Sequence, residues 1–491
     1  MLAIYESYEV VIGLEVHAQL LTKSKLFCGD SAAFGGEPNT HVSPITLAHP
    51  GTLPKLNKKA IEYAIKMGIA CNSHISRNNY FVRKNYFYPD LPKGYQISQH
   101  TTPICEGGFI TIRTEEGEKK IQLNRIHLEE DAGKSLHDID SDFTCVDLNR
   151  AGVPLIEMVT EPCLHSADDA YTFLTEVRKL VRYLQICDGN MEEGSMRCDA
   201  NISIRKKGDS KLGTKVEVKN LNSIRNVKRA IEYESKRLID LIEKGDPILQ
   251  QTRSFDAANG STFGLRSKEE ANDYRYFADP DLTPFRVTEE LLAEIQSSIP
   301  ELPEQKVKRY RELFDLSEYD ARTISDEKEL ADYYEQILRA FPEPLQDISI
   351  NAKASANWIL GPIKSYLNET ATSITEFKIP PATIAHLVEL IKEGRLNFST
   401  ASSTLFAALI KQPLANPESL SNQLNIVQNS DEETILGWVE EVLKNMPDKV
   451  IEYKKGKKGL IGLFVGEVKK ISKGKADPKL TNDLLIKKLQ S

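Results

Sequence analysis

Glu15, His17 and Gln19 fall on one face of the alternating segment Gly13-Leu14-Glu15-Val16-His17-Ala18-Gln19-Leu20, with Leu14, Val16, Ala18 and Leu20 on the other. A carboxylate and an imidazole two residues apart on a half-buried strand point the same way and can share one cation. Three further segments repeat this design. Residues 121–133 read as a strand ending in Glu129, Glu130 and Asp131. Three such acids repel one another unless cations neutralise them or water screens them at a solvated turn. Residues 149–161 carry Glu157 inside the apolar run Leu155-Ile156-Glu157-Met158-Val159, where an acid is costly unless it is paired or ligating. Residues 196–205 set Met196, Cys198, Ala200, Ile202 and Ile204 against Arg197, Asp199, Asn201, Ser203 and Arg205. Residues 214–220 continue the pattern, with Lys215, Glu217 and Lys219 opposite Val216 and Val218.

Such a face suits a nucleotide with its metal, Asp199 taking the cation and Arg197, Arg205 and Lys215 the phosphate oxygens. It equally describes an ion-pair ladder on a solvent-facing sheet. Oxygen-rich donor sets with one histidine favour Mg²⁺, with Mn²⁺ as the alternative, over zinc. The chain has no Walker-type loop, no G-x-G-x-x-G after a strand and no G-x-S-x-G elbow, so metal and basic side chains must hold any phosphate. Residues 80–99 interleave aromatics and bases, including Lys84 and Lys93, around Pro89 and Pro92. That composition fits a base-stacking surface or an aromatic mini-core under a rigid loop. Residues 273–281 share the ambiguity.

The elements that must hold these side chains are mostly short alternating strands up to about residue 282, interrupted by two amphipathic helices, which makes this part α+β. One helix is expected to start at Ser166-Ala167-Asp168-Asp169 with Phe173, Val177, Leu180 and Leu184 on one stripe; the other spans 223–243 and stops at Gly245. Beyond residue 282 the periodicity predicts helices over 325–341, 354–367, 383–393 and 430–445, the last opened by Ser430-Asp431-Glu432-Glu433. Pro380-Pro381, Gly394, Pro413 and Pro417 punctuate this half. The expected domains are 1–295, 296–410 and 411–491. Gly459, Gly462 and Gly466 read as a face for close helix packing rather than for phosphate binding, since no strand leads into them.

Net charge is −8 but uneven: residues 451–491 hold eleven Lys and four acids, +7, which leaves −15 on the rest. A basic tail of this kind is a polyanion-binding surface or a solvated helical face. Seven cysteines without a C-x-x-C pair argue against a disulfide framework. The N-terminal residues lack a basic n-region and no apolar run reaches spanning length, so a cytoplasmic location without membrane insertion is expected.

The motifs together resemble one family, the B subunits of the bacterial glutamyl-tRNA(Gln)/aspartyl-tRNA(Asn) amidotransferases. The resemblance rests on Gly13-Leu14-Glu15-Val16-His17, Arg83-Lys84-Asn85-Tyr86-Phe87-Tyr88-Pro89-Asp90 and Glu129-Glu130-Asp131-Ala132-Gly133-Lys134-Ser135. It rests equally on Asp147-Leu148-Asn149-Arg150, Met191-Glu192-Glu193-Gly194-Ser195, Arg197-Cys198-Asp199-Ala200-Asn201 and Lys219-Asn220-Leu221-Asn222-Ser223. It implies a catalytic cradle related to glutamine synthetase, with an antiparallel sheet, then a helical domain and a small helical tail domain. The implied reaction is ATP-dependent amidation: the side-chain carboxylate of a misacylated Glu-tRNA(Gln) or Asp-tRNA(Asn) is phosphorylated, and ammonia displaces phosphate. The resemblance implies that the ammonia comes from an amidase-type A subunit, that a small C subunit links the two, and that the basic tail binds tRNA.

By motif, the resemblance makes His17, Glu130 and Glu157 ligands of one magnesium, and Glu15, Glu129 and Asp199 candidates for a second ion or its waters. It sets Lys84 and Lys93 near the ammonia path and the acceptor carboxylate, so that Lys84, Lys93 and Glu130 are the implied catalytic residues. The chain departs from many relatives at a zinc knob, retaining only Cys28, so no structural zinc is expected. Ala278-Asp279-Pro280 also departs from the Pro-Glu-Pro common in the family.

Overall fold

The structure, a computed structural model, describes residues 5–267, 273–342, 348–427, 432–472 and 475–490. It divides into two compact units, Met1–Leu302 and Pro303–Ser491.

The first unit is built on a large mixed sheet. Ten of its strands form a continuous path: β1 (Tyr8–Gln19), β2 (Val82–Asn85), β3 (Tyr95–Ser98), β4 (Gly117–Glu130), β5 (Pro154–Thr160), β6 (Met196–Lys206), β7 (Val216–Leu221), β8 (Gln251–Asp256), β9 (Ser261–Ser267) and β10 (Phe277–Ala278). Their order across the sheet is β9-β8-β7-β6-β1-β5-β4-β3-β2-β10. β1 lies near the middle, antiparallel to both β5 and β6. The antiparallel expectation needs one correction, because β7 and β8 run parallel. A parallel pair needs a crossover, and a 21-residue helix between these two strands supplies it.

Three helices cover the apolar face: α1 (Lys58–Ala70), α2 (Ala167–Tyr183) and α3 (Ile224–Lys244). The two helices expected from sequence form as their signals dictate. Ser166 caps α2 by accepting from the Asp169 amide, Ser223 caps α3, and Gly245 ends it in the left-handed region at φ 79°. Leu14, Val16 and Ala18 of β1, Ile126 and Leu128 of β4, Ile156 and Met158 of β5, and Ala200 and Ile202 of β6 share one core with Phe173 and Val177 of α2 and Val227 and Ile231 of α3. Strict alternation then forces the intervening polar side chains onto the opposite face.

The second unit is helical and holds two cores, one from Val307 to Leu420 and one from Ile435 to Leu489. The expected 410/411 division thus lies within the first of these. The helix predicted over 354–367 is interrupted: Ile348–Trp358 and Lys364–Thr370 flank a π-turn at Ile359–Ile363. Pro362 sits in that turn and has no amide hydrogen to keep the α-helical ladder. The last predicted helix is present as Glu432–Asn445; its expected cap residues Ser430 and Asp431 lie outside the described residues. The glycine series corrects a further expectation. A Cβ built at Gly459, Gly462 or Gly466 would meet nothing within 4 Å, so these residues do not serve close helix packing. Among the described residues no helix is long and apolar enough to cross a membrane.

Candidate functional site: two carboxylate clusters on the polar face of the sheet

Register fixes which side chains meet. Across β1 and β5, His17 lies opposite Glu157; across β1 and β6, Glu15 lies opposite Asp199 and His17 opposite Arg197. β4 adds His127, opposite Glu157, and Glu129, opposite Leu155. The polar face therefore gathers a cavity of about 760 Å³ lined by Glu15, His17, Lys84, Glu129, Glu157 and Arg197, among others.

Two donor sets converge there, each within 4.8 Å: His17, Glu129 and Glu157, and Glu15, Asp199 and Glu217. In the first, His17 Nε2 is 3.5 Å from Glu129 Oε1 and 3.3 Å from Glu157 Oε2. Burial opposes a charge on His17, but the hydrogen bond and charge of Glu157, together with Glu129, overcome it and raise its pKa to about 9. Burial likewise opposes ionisation of Glu157, yet His127, His17 and Arg125 hold its carboxyl well below the usual range. In the second set, burial and the charges of Glu157 and Asp199 push the Glu15 carboxyl up. Asp199 and Glu217 share one ammonium, Lys219 Nζ, at 2.5 and 3.1 Å.

These residues fit hard divalent cations. One site offers two carboxylates and an imidazole, the other three carboxylates, with a carboxyl already disfavoured as an anion in the absence of more positive charge.

Glu130 is not part of the first set, and Glu129 stands in its stead. Consecutive strand residues point to opposite faces, so Glu129 joins His17 while Glu130 turns into a separate small cavity with Phe27, Cys28, Leu91 and Lys93. There Glu130 accepts from Lys93 Nζ and from the Ile97 amide. Lys93 is thus apart from the clusters, and Lys84 is beside them, its Nζ 4.8 Å from the Tyr274 ring centre and 5.7 Å from that of Tyr86.

Of the basic residues expected to meet phosphate, Arg197 lines the main cavity and donates to Asp131 Oδ2 at 2.9 Å. Arg205 does not: it is on the same face but eight residues along β6, roughly 26 Å at 3.3 Å per residue, where it pairs with Glu9. Lys215 precedes β7, is exposed, and is absent from the cavity wall; Lys219 takes that place. Glu217, Lys219 and Asp131 share the alternating pattern that singled out their neighbours. Tyr274 had no such signal. It reaches the cavity because Asn85 donates to the carbonyls of Tyr274 and Arg275 at 3.0 and 2.9 Å, and Arg83 pairs with Asp279 and Asp281. Asp279 is thereby a buried anchor of this segment.

A sheet that holds two carboxylate clusters beside guanidinium and ammonium groups has the donor chemistry of a site for divalent cations and anionic groups. Residues 10–293 match the family model of the GatB/GatE catalytic domain, and residues 341–489 match that of the GatB domain. The chain is 47% identical to the B subunit of the aspartyl/glutamyl-tRNA(Asn/Gln) amidotransferase of Thermodesulfovibrio yellowstonii, over 98% of this chain and 99% of that protein. It is 48% identical to the corresponding protein of Geotalea uraniireducens over 98% and 99%, and 47% identical to that of Persephonella marina over 97% and 98%. The chain belongs to the GatB family and is an amidotransferase subunit, as the motifs implied.

Proposed function

We propose that this chain carries out ATP-dependent amidation of misacylated Glu-tRNA(Gln), Asp-tRNA(Asn) or both, through an acyl phosphate and with ammonia from a partner glutaminase subunit. The observation that carries the reading is the pair of carboxylate clusters flanked by Arg197, Lys219 and Lys84 in one cavity. Phosphorylating a carboxylate brings two anions together, so the site must neutralise charge on both before they can react. Magnesium bound at His17, Glu129 and Glu157, and at Glu15, Asp199 and Glu217, would supply that neutralisation and orient the transferred phosphoryl group. Arg197 and Lys219 stand beside those clusters to meet phosphate oxygens, each already aligned by a carboxylate partner. Lys84, held over two tyrosine rings, is suited to the side-chain carboxylate that the substrate presents. Ammonia enters from the Lys93–Glu130 cavity, where the carboxylate of Glu130 can hold or release an ammonium proton.

The relatives are named as one lettered component of an amidotransferase, which supports a complex with an amidase-type A subunit and a small C subunit. The lysine-rich residues 451–491 are proposed to bind tRNA phosphates.

The test is to incubate the chain, assembled with its A and C partners, with Glu-tRNA(Gln), glutamine and ATP, with and without magnesium, and to measure Gln-tRNA. Product only with both ATP and magnesium is expected. A Glu157→Gln complex should lose product while still releasing glutamate from glutamine. Full amidation by that variant, or no product from Glu-tRNA and Asp-tRNA alike, would overturn the reading.

A further inference from the structure

The first carboxylate cluster has an inner neighbour that lines no part of the cavity. His127 Nε2 lies 3.7 Å from Glu129 Oε2 and 3.8 Å from Glu157 Oε2, while His17 Nε2 approaches the same two residues from the cavity side. The two carboxylates are therefore bracketed by two imidazoles. One is at the cavity wall; the other is 1% exposed. A buried imidazole normally has both nitrogens satisfied, yet His127 Nδ1 has no hydrogen-bond partner. Its polar capacity is directed at the carboxylates through Nε2 alone. The ring is wedged edge-on against His100, 6.2 Å away at 84°, and His100 stacks on Tyr276 at 5.1 Å and 8°. Arg125 reaches Glu157 Oε1 at 3.8 Å and His100 Nδ1 at 3.3 Å.

We propose that His127 is the positioning residue of this cation site: it fixes Glu129 and Glu157 from inside the sheet, so that both oxygens stay aimed at one ion. The proposal rests on the reading of His17, Glu129 and Glu157 as cation ligands. Two carboxylates within 4.8 Å of each other repel, and His17 restrains them only from the cavity side, where an entering cation must displace its proton. Holding them together in advance lowers the reorganisation required of the ion, as outer partners of metal ligands generally do. His127 lies behind the carboxylates and lines no part of the cavity, so its part is to orient ligands rather than to be one.

The test is Mn²⁺ binding to the full chain in its assembled complex, read by electron paramagnetic resonance and needing neither ATP nor tRNA. His127→Ala is expected to weaken Mn²⁺ binding about 10- to 100-fold. His127→Gln, whose amide nitrogen takes the position of Nε2, should recover most of that loss. His127→Asn puts its amide nitrogen at the position of Nδ1 and should resemble Ala; it serves in place of Ala if Ala fails to fold. The imidazole nitrogen coupling in the spectrum of bound Mn²⁺ should survive in the His127 variants and vanish in His17→Ala. Wild-type affinity in both His127→Ala and His127→Asn overturns the proposal, as does loss of nitrogen coupling with either, which would make His127 a ligand. No Mn²⁺ binding by the unaltered complex overturns the cation-site reading itself.

Discussion

His17 holds a proton at the point where two carboxylates converge, and a cation at the same point must displace it. With its pKa raised to about 9 from an unfolded value near 6.5, His17 contributes stability that is fully present below about pH 6.5 and lost as pH rises through about 9. At about 1.4 kcal/mol per pKa unit, the contribution is on the order of 3 kcal/mol. The ion-free protein should therefore lose stability between those pH values, and His17→Ala should flatten the dependence, as followed by urea unfolding. Binding of Mg²⁺ at pH 7.5 should also release close to one proton, which calorimetry in buffers of different ionisation enthalpy would count; no release would mean that His17 is not a ligand. The neighbouring acids should separate cleanly. Glu129→Gln is expected to weaken Mn²⁺ binding by an order of magnitude or more. Glu130→Gln should leave it intact and instead lower amidation relative to glutamine hydrolysis, because its carboxylate belongs to the Lys93 cavity.

At the scale of elements, alternation made much of the site legible. Glu15 and His17 on β1, Glu157 on β5 and Asp199 on β6 all project where period-2 patterning directs them, and the charge of Glu157 within an apolar run signalled a buried partner. The same rule, applied to Glu129-Glu130-Asp131, separates Glu130 from its neighbours, whereas the family resemblance grouped it with His17. Arg205 was on the right face at the wrong end: period fixes direction but not distance along a strand. Tyr274 lay in the aromatic and polar run 273–281, but its place at the cavity was illegible because the pairing of β10 with β2 and the Asn85 and Arg83 contacts join residues almost two hundred positions apart, and no local pattern encodes a long-range pairing. The parallel pair β7 and β8, the one such pair among the described residues, had its cause in a crossover helix that was itself legible. That helix carries a buried acid, Glu234, which is fully inaccessible and receives Arg237, Arg253 of β8 and the Thr262 hydroxyl of β9. Glu234→Ala leaves both guanidinium groups without that partner and should destabilise the first unit by about 3–5 kcal/mol, read by chemical unfolding with no direct loss at the cation clusters.

For the whole molecule, charge is partitioned by sequence region, −15 before residue 451 and +7 after it. If residues 451–491 hold tRNA through phosphates, the logarithm of affinity should fall linearly with the logarithm of salt. Removing residues 432–491, a region with its own core, should weaken binding and reduce that slope while leaving Mn²⁺ affinity unchanged. Undiminished tRNA affinity would assign the lysines to a solvated face.

Glu129 and Glu130 are joined by a single peptide bond, yet each faces a different chamber, and Asp131 borders both. The strand end is thus a party wall. A rotation of this peptide that alters the grip of Glu130 on Lys93 must also tilt Glu129 against His17, so that the arrival of a small molecule in one compartment is felt as geometry in the other.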